Sequence, residues 1–262
     1  MDLSRTRIVL RDRPLVDVLD LALRFLVHHG GAYTKAVAIV LPPFILVTEI
    51  VARLGGAIAA WVFAIFAATF AGAPFTVLAS RLVFEDDVRV RAAIGAAVHA
   101  TWRLFVLRLV TFFAGAIGLV LFMFPGVWFL ASALFVVEVS VLEQAKTMAA
   151  ISRSDRIFRR GSGEALLALF LLFLFHIGAV LVADMGGRTI VSALLESRAP
   201  QSIWEDGWST FGLLGFWLFV PYLATARFLV YLDIRTRSEG WDIQTRFAAL
   251  AARTADDARS AA

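Results

Sequence analysis

Several stretches of this chain run for about 18 residues or more with almost no charge, the length needed to cross the hydrocarbon core of a bilayer. With two slightly shorter stretches, they place six spans at Ala36 to Val51, Ala57 to Leu78, Leu104 to Phe124, Gly126 to Leu142, Ala165 to Ala183 and Phe211 to Leu232. Soluble core helices rarely read this way. An apolar content of 60% and a mean hydropathy of +0.80 point to lipid as the solvent. The expected fold is all-α, a polytopic transmembrane bundle of six spans. Residues 1–35 precede the membrane domain at 36–232, and 233–262 form a tail. The opening MDLSRTRIVLRDRP lacks the apolar block and cleavage site of a signal peptide, so the first apolar stretch is expected to stay in the mature protein.

Short connections set the topology. Arg53 to Gly56 and Phe124-Pro125-Gly126 are too short to return across a bilayer, so spans one and two, and three and four, are expected to form antiparallel hairpins. Spans five and six form a third, with a longer loop, Asp184 to Thr210, in which Ile190, Val191, Leu194 and Leu195 suggest a short surface helix. Twenty-one of the 25 basic residues lie toward one side of these spans, Arg108 among them although it falls inside span three, against Arg53, Arg188 and Arg198 on the other side and Arg227 within span six. The positive-inside rule makes that side cytoplasmic, with both termini, and the expected location is a bacterial inner membrane. The same placement explains the sequence pI near 10.1 without nucleic acid as a partner. With no cysteine, disulfides and thiolate chemistry are excluded.

Three amphipathic segments precede the hairpins: DVLDLALRFL, VRVRAAIGAAVHATWRL and AKTMAAISRSDRIFRRG. The first belongs to a helix from Pro14 to His29 that Gly30-Gly31 ends, with Asp17, Asp20 and Arg24 on one face and Leu15, Leu19, Ala22, Phe25 and Leu26 on the other. Such helices are expected in the cytoplasmic interface. The threefold recurrence is one of pattern; duplication and the ordinary design of an even-numbered bundle both account for it.

Gly56, Ala60, Ala64, Ala68 and Gly72 form a ridge of small residues at four-residue spacing, which permits close approach of a helix of the same chain or of a second copy. Pro42, Pro43 and Pro221 fall within spans one and six and are expected to kink them, either as static bends or as part of a substrate path. Ionisable groups within spans are costly and therefore informative. Arg108 and Glu138 lie at similar depth from the turn at Pro125 and are expected to pair, while Glu49 and Arg53 satisfy each other at i, i+4. His176 serves either as a hydrogen-bond partner to a neighbouring helix or as one step of a proton relay.

Beyond span six, Asp233 with Arg237 and Arg235 with Glu239 are spaced as helical pairs, with Gly240 as a stop and Trp241 and Asp242 beyond. This is either an ordered helix exit or a cytoplasmic contact site shared with Glu143 and Arg153. FPGVWFLASALFVVEVSVLEQAKTMAAISRSDRIFRRG and YLDIRTRSEGWDIQ, with RPLVDVLDLALRFL before them, resemble the signatures of prokaryotic six-span proteins similar to the membrane domain of some glycerophosphoryl diester phosphodiesterases. The resemblance implies a fold and not a reaction, since their phosphodiesterase domain has no counterpart in these residues.

No HExxH, GxSxG, phosphate-binding or dinucleotide fingerprint occurs, and the adjacent His28 and His29 point about 100° apart with no carboxylate to complete a metal site. Neither cofactor nor metal is expected. The residues point to a non-enzymatic protein that organises membrane lipids or a membrane or cytoplasmic protein partner, with a homo-oligomer open. A transporter or channel component using the proline-bearing spans is the alternative, and a membrane-embedded hydrolase ranks third.

Overall fold

The structure, a computed structural model, describes residues 14–85, 88–194, 196 and 201–260, with side chains up to 193 and from 201 to 237. These residues form ten helices and no strand: α1 Leu15–His28, α2 Gly30–Leu82, α3 Val90–His99, α4 Thr101–Leu121, α5 Met123–Ser132, α6 Val136–Leu142, α7 Thr147–Arg160, α8 Ser162–Leu194, α9 Ile203–Asp206 and α10 Thr210–Ser260. Five helical stretches among them are long and apolar enough to cross a membrane. One of these, α2, folds back on itself and supplies two arms, so the all-α bundle has the six expected apolar segments.

The fold in α2 lies at Gly56, where φ is 74° and ψ is −172°, a backbone state that strongly favours glycine. The two arms run in opposite directions along α10. On the first arm, Tyr33 Oη lies 2.7 Å from Thr225 Oγ1, and higher up Trp217 Nε1 donates to Thr48 Oγ1 at 3.1 Å. On the second, Trp61 Nε1 donates to the carbonyl of Gly207 at 2.9 Å, while Gly72 faces Val220 and Ala224. One arm therefore meets α10 in descending order and the other in ascending order. Tyr33 and Phe75 then stack at the shared end, 6.2 Å between centroids.

The small-residue ridge lies on this second arm. Ala60 and Ala64 are wholly buried, and a Cβ on Gly72 would stand 3.7 Å from Val220 Cγ1. The buried part of the ridge is thus engaged within the chain, with Gly72 against α10. Ala68 is half-buried and Gly56, at the turn, is exposed.

The expected kinks at Pro42-Pro43 and Pro221 are not breaks: Gly56 is the one interruption of helical dihedrals in α2, and α10 continues through Pro221. Each proline removes a single backbone donor, and the flanking turns hold. Hydroxyls reinforce them, with Thr48 Oγ1 donating to Phe44 O at 2.7 Å and Thr225 Oγ1 to Pro221 O at 2.8 Å.

In the second hairpin the turn falls at Phe122 (φ −148°, ψ 94°), ahead of the expected Phe124-Pro125-Gly126. Pro125 stands in the first turn of α5, where no intrahelical donor is required. Gly126 then lies against α4, and a Cβ there would stand 2.5 Å from the Leu119 nitrogen. The span expected as one helix, Gly126 to Leu142, is α5 and α6 with a break between them. Ser154 of α7 fills that break, donating to Ser132 O at 2.6 Å and accepting from the Phe135 N–H at 3.3 Å. A side chain inserted into the ladder is a recognised cause of such interruptions.

The third hairpin pairs α8 with α10, from Gly161 against Ile234 at one end to Gly187 against Phe211 at the other. Residues 190–194 extend α8 and do not form the separate surface helix expected; the loop's own helix is the short α9, whose N-cap Ser202 accepts from Trp204 N. Gly30-Gly31 opens α2, and α1 ends at His28 with His29 as its C-cap. Gly240 likewise does not stop α10, which runs to Ser260; a single glycine costs a helix only about 1 kcal/mol.

Helix α10 is the axis. Of its most apolar window 67% is buried, against 17% for α8. The amphipathic helices dock their apolar faces on the bundle, α1 through Val18, Leu19, Ala22 and Phe25, and α7 through Ala150, Ile157 and Phe158.

Gly126→Ala is expected to destabilise the protein by about 1–3 kcal/mol through overpacking against the α4 backbone. Gly163→Ala, with open space at its Cβ position, serves as the neutral control. Thermal unfolding in detergent reads the difference.

Candidate functional site

The polar residues of the bundle gather mainly where α6, α7, α8 and α10 meet. Deepest is Glu138 on α6, wholly buried, whose Oε1 accepts from Arg227 Nε of α10 at 2.6 Å. Arg108 was the expected partner. It turns away instead, donating from Nη2 to the carbonyl of Ile65 on α2 at 2.6 Å, with its guanidinium 5.4 Å from the Phe112 ring centroid. The reason is angular. The α4 residues facing the bundle are Leu104, Leu107, Thr111 and Gly115, and one step beyond Leu107 rotates Arg108 about 100° off that stripe.

One turn further along, Glu143 at the end of α6 collects three partners. Its Oε1 accepts from Tyr231 Oη at 2.7 Å and pairs with Arg235 Nη1 at 3.2 Å, while Oε2 pairs with Arg153 Nε of α7 at 3.2 Å. Arg235 also donates to Tyr231 Oη at 2.8 Å. A second group lies beside it: Arg237 bridges Asp233 on its own helix and Glu164 of α8, with Nη1 2.6 Å from Glu164 Oε1. Arg103 of α4 donates to the buried Ser140 at 3.1 Å.

Glu143, Arg153 and Arg235 are therefore brought together as expected, and Asp233 and Arg237 pair as expected, in two adjoining groups. Glu239 and Asp242 lie outside the described side chains, as does the expected Arg235–Glu239 pair. Sequence reasoning placed Arg227 within span six but missed its pairing with Glu138, and it missed the roles of Tyr231 and Glu164. Arg227 and Tyr231 had a signal: with Arg235 they follow each other at four-residue spacing on one stripe of α10. Glu164 had none, because its partner comes from another helix far along the chain.

The opposite end of the bundle is tied differently. Glu49 pairs with Arg53 at 2.8 Å, as expected, and accepts from Thr210 Oγ1 at 3.0 Å. The buried Asp184 accepts from Ser209. His176 donates through Nε2 to Phe216 O at 3.1 Å and stacks on that ring at 4.3 Å, in keeping with the helix-bridging role. The three prolines do not converge with it, since Pro42 and Pro43 face outward while Pro221 is buried.

Chemically these groups are staples. Each carboxylate placed above is held by an arginine or a hydroxyl, Glu239 and Asp242 lying outside the described side chains, and among the described residues no three histidines or carboxylates converge as for a metal ion. No family model, curated protein or solved structure matches the chain.

Breaking a buried ion pair by removing one partner costs about 3–5 kcal/mol. Glu138→Gln is expected to lower stability by that order in the wild type and in an Arg108→Leu background, and by much less in an Arg227→Met background. A double-mutant cycle on unfolding in micelles measures the couplings.

Proposed function

We propose that the chain is a multi-pass protein of a bacterial inner membrane, with both termini cytoplasmic, whose non-enzymatic role is to organise anionic lipids and partner proteins at the cytoplasmic leaflet. The observation that carries this reading is the composition of one end of the bundle. Among the residues with described side chains, the basic ones other than Arg53, Arg188 and the span-level Arg108 and Arg227 lie at the end where α1, α3 and α7 dock, and that end holds exposed Arg89, Arg91, Lys146 and Arg156. Trp102 and Met148, both 75% exposed, stand beside them. Basic side chains next to an aromatic anchor are suited to the headgroup region, and each one near anionic headgroups contributes about 1 kcal/mol.

The belt between the two ends supports the membrane part of the proposal. On α4 and α8, Phe113, Ile117, Phe170, Phe173 and Val182 are all more than half exposed. Surface of this kind is stable against acyl chains and not against water. The segment from Phe124 to Gly161, which resembles the membrane domain of glycerophosphoryl diester phosphodiesterases, is the one in which Ser154 and Glu143 hold α6 and α7 together. The reading extends that likeness to architecture, and the phosphodiesterase reaction is no part of it.

Because the chain has no cysteine, single cysteines report topology directly. Leu54→Cys is expected to react with an impermeant maleimide in spheroplasts, and Ser152→Cys only in inverted vesicles. Labelling of both from the same side would overturn the assignment. The role itself is tested by extracting the protein in native membrane patches and weighing co-purifying lipids and proteins against an unrelated six-span protein. Anionic lipid or a specific protein should be enriched, and the enrichment should fall when Arg89, Arg91, Lys146 and Arg156 are changed to Gln. Equal recovery from the two proteins would reject the role.

A further inference from the structure

We infer that Arg108 is a docking point for a transmembrane helix of another protein that carries an Asp or Glu near its midpoint. The inference rests on the membrane reading above and names the partner that reading leaves general.

The other charged pair at mid-span, Glu138 with Arg227, is satisfied within the chain, and so are two carboxylates toward the end at the Gly56 turn. Glu138 holds Arg227, Glu49 holds Arg53 and Thr210, and Asp184 holds Ser209. Arg108 has a backbone carbonyl and the Phe112 ring; its Nε is buried with no acceptor, so an incoming carboxylate would reach the guanidinium at its outer nitrogens. A guanidinium offers five donors in a fork that suits a carboxylate. Such a group in a span is costly unless paired. Its surroundings are the lipid-facing groove between α2 and α4, where Ile65 is 47% exposed, Phe105 37% and Leu109 40%.

Depth decides what fills the groove. Arg108 lies seven residues, about 10 Å, beyond the start of α4 at the basic end. The carbonyl it holds, Ile65, lies nine residues, about 13 Å, from the Gly56 turn at the opposite end. The guanidinium is thus well inside a hydrocarbon core of about 30 Å, beyond reach of a headgroup phosphate at either surface. A second copy of this chain does not supply the missing anion, because its span-level carboxylates Glu49, Glu138 and Asp184 are already engaged. A carboxylate on the helix of a different protein has both the charge and the depth, with the exposed Ile65, Phe105 and Leu109 as the apolar contact around it.

The test uses the full chain, labelled at a single introduced Leu54→Cys, in vesicles of zwitterionic lipid. Energy transfer is titrated with Leu-Ala transmembrane peptides bearing Glu, Gln or Lys at the centre. Retention of the chain in alkali-washed vesicles reports the membrane reading separately from peptide selectivity. The Glu peptide should bind the wild type about tenfold or more tighter than the Gln peptide, and the Lys peptide should bind more weakly than either. The preference should disappear in Arg108→Leu and persist in part in Arg108→Lys. The peptide comparison on the wild type needs no variant, so misfolding cannot mimic the result. Equal binding of Glu and Gln peptides, or a Glu preference that survives Arg108→Leu, would overturn the inference. So would its abolition by modest amounts of anionic lipid, which would assign the site to a lipid headgroup.

Discussion

Close approach to α10 is the constraint on which the rest of the architecture depends. Where helices pack against helices in an apolar surround, burial from water contributes little, and contact and interhelical hydrogen bonding decide the arrangement. The chain meets this with small residues at the crossings. Ala60, Ala64 and Gly72 of α2 face α10, while Gly215 of α10 lies so close to α8 that a Cβ there would stand 2.5 Å from Ala183 Cβ. The large side chains of α10 then fill the spaces between the hairpins, with Trp217 and Tyr231 wholly or almost wholly buried. Both have polar ends, and each finds a partner on another element, Thr48 for one and Glu143 for the other.

That arrangement explains why the polar groups fall where they do. Glu138 is wholly buried, and a carboxylate there is tolerable only with a cation fixed opposite it, which Arg227 provides from the axis helix. Glu143 extends the same logic toward the basic end, where α6 stops and the chain reverses into α7. The interrupted α5–α6 span would leave backbone groups unpaired, and the hydroxyl of Ser154 closes the gap. The break, the serine and the acidic residue after α6 form one device that turns the chain and pins α7 beneath the bundle.

Much of this was legible in the sequence because lipid-length apolar runs and short turns leave few alternatives. The hairpins, the amphipathic helices before them and the Glu49–Arg53 and Asp233–Arg237 pairs follow from spacing along a single helix or from chain length alone. What failed required information across helices. Arg108 and Glu138 match in depth, but depth along a helix carries no angle around it, and one residue's rotation sends Arg108 to α2. Pro125 marked the second hairpin correctly yet sits after its turn, since proline is accommodated in a first helical turn as readily as in the bend before it. The apolar residues after Asp184 read as a separate element because a polar loop was expected to end the helix, whereas α8 continues to Leu194.

The two ends of the bundle differ in how they are tied, and the difference bears on what each end can do. At the basic end, ion pairs link α6, α7, α8 and α10 through Glu143 and Arg237. At the other end, Trp61, Thr210 and Ser209 join α2, α8 and the entry to α10 mainly by single hydrogen bonds. Under the proposed role, a charged surface that meets anionic headgroups gains from rigidity, because side chains already held in place lose less freedom on contact. By engaging Arg153, Arg235 and Arg237 within the chain, the acidic residues at the basic end fix α7, which displays Lys146 and Arg156 outward.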